Sequence, residues 1–434
     1  MLIGSEPEPW GPELQGGRRH RLLRRALSVA GLLGLVAVVA LASTGFLLYQ
    51  QAESSLTRVS LDQLDVTAEA TDARHFLVVG SDARGDLDDE QRGTMSLGDF
   101  EGQRSDTIMY VAISADRQDV SIVSLPRDLL VLDDGRQRKL TDVFAGGADD
   151  LIRVIQENFG LPINHYAKVS LGGFIEVVRT LGGVDLCLDE PLDDWRAGAD
   201  FDAGCQRMSA EEALAFVRSR QGRRADFQRI DRQQEFLRAT LDELIDGRVL
   251  TDVPQLFRLV DNVASNVTTD EGLGVAQMRG LADEMRQVIR DGVPMTTVPG
   301  YDRRIDGISY VVAYGPGARA MFEDLREGRP VADRGTPDER EETSVAIWSG
   351  GRGTETEIVT ATLIYGGFTT GSAGSGPASV GGRETTTVYR LPGEEERAEW
   401  VAAALGAPVR SLPSSASPPE GADVVVAVGA DATS

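Results

Sequence analysis

The stretch Thr107-Ile-Met-Tyr-Val-Ala-Ile113, followed by Val120-Ser-Ile-Val-Ser-Leu125, decides how this chain folds. Both runs are apolar and rich in β-branched residues, as buried strands are. The short connection between them, which includes Ser114–Gln118, makes an antiparallel hairpin. Upstream, His75-Phe-Leu-Val-Val-Gly80 is another buried-strand run. Downstream, Asp149–Phe159 carries helical spacing through Leu151, Ile152, Ile155 and Phe159 and stops at Gly160. Ile163–Val169 and Val184–Leu188 read as strands flanking a helix at Gly172–Leu181. This alternation predicts an α/β fold, a three-layer α/β/α sandwich around a mixed sheet, over residues 72–332.

Outward from that core, residues 26–49 hold no charged side chain. Twenty-four helical residues reach about 36 Å, enough to cross a hydrocarbon layer of about 30 Å. The tail 1–25 places Arg18, Arg19, Arg21, Arg24 and Arg25 just before this run, which predicts a cytoplasmic N-terminus and a single transmembrane anchor. Ala40-Leu41-Ala42 resembles a cleavage site, but the run is long for a signal peptide. Residues 50–71 read as a polar stalk, 333–342 as a charged linker, and 343–434 as a smaller α/β unit broken by the Gly/Ser stretch 371–382.

The chain has 434 residues, 68 Asp and Glu against 44 Lys and Arg, and a formal net charge of −24. That balance excludes a surface built for nucleic acid, since phosphate backbones are repelled. Two cysteines exclude a zinc ribbon or a disulfide-dense scaffold. Cys187 and Cys205 are 18 residues apart and fall outside the cell in the predicted topology, where a structural disulfide is the expectation and two buried thiols the alternative. His75 and His165 lie in predicted strands and read as packed side chains.

Charged residues gather at one end of the predicted sheet. Asp82 and Arg84 follow the first strand, Asp106 precedes the second, and Arg127 follows the third. If the first and third strands are parallel, Asp82, Asp106 and Arg127 share one edge. Two carboxylates suit a hard divalent cation and a guanidinium fork suits phosphate oxygens; solvated loop carboxylates are the alternative. A stronger signal spans Arg218–Arg232, where six arginines meet only Asp226 and Asp231. Ser209-Ala-Glu-Glu212 reads as a capping box opening a helix that ends in Arg218-Ser-Arg220. On the next helix, Arg229, Arg232 and Gln233 share a face beside an apolar stripe of Ile230, Leu237, Leu241 and Leu244. Such a cluster needs anions: a diphosphate, or the chain's own surplus carboxylates.

The ordered series Gly80-Ser-Asp-Ala-Arg84, Arg104-Ser-Asp-Thr107, Ser124-Leu-Pro-Arg-Asp128, Leu181-Gly-Gly-Val184, Ala213-Leu-Ala-Phe-Val-Arg-Ser-Arg220 and Asp226-Phe-Gln-Arg-Ile-Asp-Arg-Gln-Gln234 resembles the LytR-CpsA-Psr family of cell-wall glycopolymer ligases. Residues 343–431 resemble the LytR C-terminal domain, and the cysteine pair sits where actinobacterial members often carry a disulfide. The resemblance implies an extracytoplasmic phosphotransferase of the cell membrane. It would move a glycopolymer from a polyprenyl diphosphate carrier to a muramic acid hydroxyl of peptidoglycan. It also implies Mg²⁺, or Mn²⁺, on Asp82 and Asp106. Arg127, Arg218, Arg220, Arg229 and Gln233 would grip the diphosphate, with Arg84 and Arg232 helping and Asp82 assisting deprotonation of the acceptor. Thr141-Asp142 departs from the family pattern, so that segment is given no catalytic role. The helices around 149–159 and 171–181 are the expected walls for the prenyl chain. Two other functions stand beside this one, a polyprenyl-diphosphate phosphatase and a non-catalytic wall-binding or regulatory protein.

Overall fold

The computed structural model describes residues 50, 53–54, 56–65, 72–81, 105–219, 225–246, 266–349, 353–372, 374–377 and 384–433. The expected anchor 26–49, the arginines before it, and Asp82, Arg84 and Arg220 lie outside the described residues, as does the side chain of Asp106. Among the described residues no helix is long and apolar enough to cross a membrane.

Strands β1 (Thr57–Val59), β2 (Arg74–Ser81), β3 (Ser105–Ile113), β4 (Val120–Ser124), β5 (His165–Ser170), β6 (Val267–Asp270) and β7 (Met295–Thr297) form one sheet in the order β1-β6-β5-β2-β3-β4-β7. The predicted hairpin is present: β3 pairs antiparallel with both β2 and β4, so β2 and β4 are parallel. The sheet is mixed, because β5 and β7 then pair parallel with β2 and β4. The helices are α1 (Ala148–Phe159), α2 (Leu171–Leu181), α3 (Ala210–Arg218), α4 (Ala225–Asp246), α5 (Val275–Asp291) and α6 (Gly315–Arg326).

Period-two alternation along β2 sorts the layers. Leu77 and Val79 are fully buried in a core with Leu151, Ile152 and Ile155 of α1 and Met321, Phe322 and Leu325 of α6. Phe76 and Val78 face the opposite way, towards Leu237 and Leu241 of α4 and Met285 of α5. The sandwich is therefore three-layered as expected, but α1 and α2 lie on opposite faces. The expectation that both helices wall one apolar pocket is corrected: α1 is on the far side of the sheet.

Two other stretches differ from their sequence reading. Within the expected stalk, residues 57–59 pair parallel with β6, and the Asp65 amide donates to the Ile163 carbonyl at 2.8 Å. Partners more than 200 positions away leave no local pattern, so a short edge strand read as polar spacer. Within the expected linker, Pro337–Glu342 is a helix with a capping box between Thr336 and Glu339.

That helix fastens the C-terminal part to the rest. Ser344–Trp348 lies inside a five-stranded sheet flanked by Thr369–Ser372 and Val424–Ala427, with Thr387–Arg390 and Val409–Ser411 beyond. Arg334 donates Nη1 to the Thr297 carbonyl at 2.8 Å and Nη2 to the Ala403 carbonyl at 3.2 Å, tying the two sheets' bodies. Arg340 pairs with Asp231 on α4 at 3.2 Å. Backbones meet closely here: a Cβ on Gly317 would lie 2.4 Å from the Ala404 carbonyl oxygen, and one on Gly406 would lie 2.5 Å from that of Pro316. Glycine is required at both positions.

Cys187 and Cys205 are directly opposed partners on the antiparallel ribbon Val184–Leu188/Gly204–Met208 and form the expected disulfide. His75 is buried, and burial pulls its imidazole down to about 4. His165 stacks on Phe76 and contacts Asp270 at 3.3 Å, so both histidines are packed side chains as read.

Two outcomes follow from this packing. Replacing Cys187 and Cys205 together by serine should lower unfolding free energy by about 3 kcal/mol, the loop-entropy value for a closure of this length, measured by denaturant titration. Glu235 on α4 is pushed from 4.5 to about 7, first by burial and then by Asp189, against Arg232 and Arg238. Between those values the folded chain holds a proton that the unfolded chain has lost, so stability falls as pH rises through the interval. The thermal midpoint should therefore drop more from about pH 5 to about pH 8 in the wild type than in Glu235→Gln.

Candidate functional site

At the C-terminal tips of β2 and β5 the sheet opens into a cavity of about 540 Å³. Its floor is Val78, Gly80 and Ser81 of β2, Thr107 and Met109 of β3, and Val169 and Ser170 of β5. Leu171 and Phe174 of α2, Leu214 and Val217 of α3, and Phe236 and Leu237 of α4 form the walls. Phe174 and Phe236 close over it with ring centroids 4.6 Å apart. Gly80 lies where the floor is tightest, since a Cβ there would stand 3.2 Å from Thr107 Cβ.

The polar end holds three residues singled out in the sequence, together with Asp194 and Arg196. Arg218 is the last residue of α3, and Arg229 and Gln233 are one turn apart on α4; all three line the cavity. Arg229 is only 5% exposed. Phe236 and Leu237 follow a turn further along α4, so the wall passes from charged to apolar over about 12 Å of helix. A narrow apolar slot with guanidinium groups at one end has the chemistry of a receptor for an amphiphile: a hydrocarbon chain ending in an acidic head.

The local reasons for this placement are visible. α3 opens with the predicted capping box, in which the Glu212 amide donates to Ser209 Oγ and the Ser209 amide to the Glu212 carboxylate. It ends at buried Ser219, whose hydroxyl donates to Asp194 Oδ2 at 3.2 Å. Arg232 donates Nη2 to the Ser219 carbonyl at 3.0 Å. Arg232 was expected to help bind the diphosphate, but it is not among the residues lining this cavity. Its place on α4 turns it towards Ser219, next to Arg218 at the end of α3.

Sequence reading missed Gln234. Its buried amide nitrogen donates to Ser124 Oγ and the Thr296 carbonyl, each at 3.1 Å, and to Thr297 Oγ1 at 3.3 Å. This fixes α4 against β4 and β7 with Arg229 and Gln233 turned to the cavity. A buried glutamine carries no sequence signal that separates it from the half-buried one beside it.

Of the acidic edge, Asp106 is described in backbone only and Asp82 lies outside the described residues. Gly80 opposes Thr107 and Ser81 opposes Ser105, so Asp106 is the extra residue of a β-bulge next to the end of β2. Bulges of this kind re-aim a side chain beside a site. The Leu125 amide donates to the Ile108 carbonyl, so the chain after β4 returns along β3 towards the same end, as the hairpin predicted. Arg127 follows there, 3.7 Å from Asp128, which also pairs with Lys139 at 2.9 Å. Arg127 does not line the cavity. Among the described residues no group of three or more His, Cys, Asp or Glu side chains is placed to hold a metal.

A model of the LytR_cpsA_psr family matches residues 37–327. The probable cell wall biosynthesis protein LcpB of Corynebacterium glutamicum is 32% identical over 332 residues, covering 74% of this chain and 77% of that protein. The polyisoprenyl-teichoic acid–peptidoglycan teichoic acid transferase TagV of Bacillus subtilis is 30% identical over 189 residues, and the chain spans 48% of its length. Among solved structures, a LytR-Csp2A-Psr enzyme from Actinomyces oris shares the fold with a TM-score of 0.51 at 22% identity, over 63% of this chain and 96% of that one.

The cavity makes its own test. A long-chain alkyl phosphate should bind the full chain in detergent, and Arg229→Ala should weaken it by about tenfold or more, as loss of a charge-assisted hydrogen bond does. Leu214→Trp, which fills the slot, should abolish binding of the same probe while circular dichroism stays unchanged.

Proposed function

We infer that this chain, which belongs to the LytR_cpsA_psr family, is a membrane-anchored, extracytoplasmic transferase that attaches a glycopolymer to peptidoglycan. The donor is a polyprenyl-diphosphate-linked glycopolymer. The observation that carries the reading is the cavity itself, apolar along Val78, Met109, Phe174 and Leu237 and cationic at Arg218 and Arg229. Its apolar length suits the prenyl chain, and its arginine end suits the diphosphate.

In the reaction, a muramic acid hydroxyl of peptidoglycan attacks the phosphorus that bears the glycan. A new phosphorus–oxygen bond forms, the bond to the bridging oxygen breaks, and polyprenyl phosphate leaves with the electron pair. The product is a phosphodiester, and the hydroxyl proton passes to a base, for which Asp82 is the candidate. Arg218 and Arg229 hold the diphosphate oxygens and stabilise charge on the transferred group, while Gln233 orients it. Arg127, Arg220 and Arg84 complete the grip in this proposal, and Arg232 keeps Arg218 in place.

Mg²⁺, with Mn²⁺ as a substitute, is proposed at Asp82 and Asp106. The donor set fits, since two carboxylates offer hard oxygen ligands, and the bulge sets Asp106 beside Ser81, the neighbour of Asp82. When bound, the ion would neutralise charge on the diphosphate. Residues 26–49 serve as the anchor in this reading, and 343–434 as a LytR C-terminal domain.

The test is a transfer assay with the full chain in detergent, Mg²⁺, a lipid-linked donor and peptidoglycan fragments. A glycopolymer–peptidoglycan conjugate should form, and Arg218→Ala should slow it by about 10²–10³-fold, the effect of losing one positioned charged donor. Free phosphate without conjugate would instead mark a phosphatase. Unchanged function in both Arg218→Ala and Arg229→Ala would mark a wall-binding or regulatory protein.

A further inference from the structure

A second cavity, of about 770 Å³, lies on the other side of α4. Its lining includes Asp231, Glu235 and Arg238 of α4, Asp189 after the disulfide-bonded Cys187, Thr296–Pro299 at the end of β7, Arg334, Asp338 and Arg340 of the segment before the C-terminal sheet, and Tyr365, Phe368 and Ala404 beyond. The transferase chemistry described above uses none of these residues.

The charges in this cleft are unevenly matched. Arg334 has both amino groups on backbone carbonyls, its buried Nε has no hydrogen-bond partner, and among the described residues it has no ion pair. Burial and then the neighbouring Arg340 guanidinium pull it down to about 9. It is a cation in want of an anion. Elsewhere on the wall the imbalance is reversed. Asp338, at the rim, hydrogen-bonds to Asp189, and partial desolvation by its surroundings together with that neighbour raises its carboxyl. Glu235 is pushed up in part by the same two aspartates. Ionised together, these carboxyl groups repel one another, and a cation placed among them would relieve that repulsion. An anion alone would leave Asp189 and Asp338 in conflict, and a metal ion alone would leave Arg334 uncompensated. A ligand carrying both charges answers both.

Position narrows the ligand further. α4 is the common wall: Arg229 and Gln233 face the first cavity, and Asp231, Glu235 and Arg238 face this one. The helix lies between them, so a bound molecule reaching both passes round its surface, roughly 16–19 Å for half the circumference of a 10–12 Å cylinder, which five or six extended residues of a peptide span. We propose that this cleft is a second binding site, for a short peptide bearing a free ammonium and a free carboxylate, the peptide arm of the peptidoglycan acceptor. Arg334 and Arg340 take its carboxylate, and Asp189 and Asp338 its ammonium. The cleft thereby steers the attached sugar hydroxyl towards the diphosphate at Arg218 and Arg229. The identity of this occupant rests on the transferase reading; the charge pattern does not.

The experiment is calorimetric titration of the full chain in detergent with a soluble disaccharide-peptide fragment of peptidoglycan. The same fragment N-acetylated at its free amine and the peptide-free disaccharide are the comparison ligands. The wild type should bind the intact fragment, and Asp338→Asn and Arg334→Gln should each weaken it about tenfold or more. N-acetylation should cost a similar factor, and Asp338→Asn should add little on the acetylated ligand. Asp338 is exposed at the rim, so its substitution keeps the test valid should Arg334→Gln fail to fold. Equal affinity of wild type and Asp338→Asn for the intact fragment, or equal affinity of the wild type for intact and acetylated fragments, would overturn the proposal. In the transfer assay Asp338→Asn should raise KM for the acceptor and leave KM for the donor and kcat unchanged. Binding needs no donor or turnover, so binding without transfer would sink the transferase reading alone. Transfer with an unaltered acceptor KM would sink the cleft alone.

Discussion

The attachment of α4 to the sheet through Gln234 is the constraint on which both cavities depend. A single buried amide donates to β4 and to β7, two strands that are neighbours only because a parallel pair forms between residues more than 170 positions apart. Leaving such an amide without partners in the interior costs about 1–3 kcal/mol, so the helix cannot rotate without losing these bonds. With its rotation fixed, α4 presents Arg229 and Gln233 to one side and Asp231 and Glu235 to the other. The helix thus separates an apolar slot from a charged cleft.

The parts of this arrangement that were legible in the sequence are those with a local cause. The runs Thr107–Ile113 and Val120–Leu125 are continuous and apolar because both faces of their strands are covered, and a short connection leaves them one way to pair. Ser209 and Glu212 marked the start of α3 because a capping box is a contact between residues three apart. The arginines were visible as a cluster because α3 and α4 are neighbours in the chain. Arg218, Arg229 and Gln233 then meet at one cavity because α3 packs on α4.

What escaped the sequence reading has a non-local cause. Residues 57–59 become a strand only through β6, and nothing within the segment 333–342 signals that Arg334 reaches carbonyls in two separate bodies. Arg232 carried the right charge and the right helical spacing for the site. What it touches is decided by Ser219, which Asp194 and the end of α3 place in its path. Helix periodicity says which residues share a face, but the packing partner decides what that face does.

The overall charge illustrates the same point on a larger scale. At −24 the chain is strongly acidic, yet the cavity at the tips of β2 and β5 has Arg218 and Arg229 in its lining. Surface carboxylates act through water and salt, and beyond a Debye length of roughly 8–10 Å their field is screened. Arg229, at 5% exposure, sits where screening is weak, so its field at a neighbouring oxyanion is set by distance and by the apolar walls around it. An acidic surplus repels polyanions such as nucleic acid from the surface. For the donor proposed above, the prenyl chain would supply the hydrophobic contribution that carries a small anion past a repulsive exterior, and the apolar slot and the arginine end of the cavity would be two halves of one requirement.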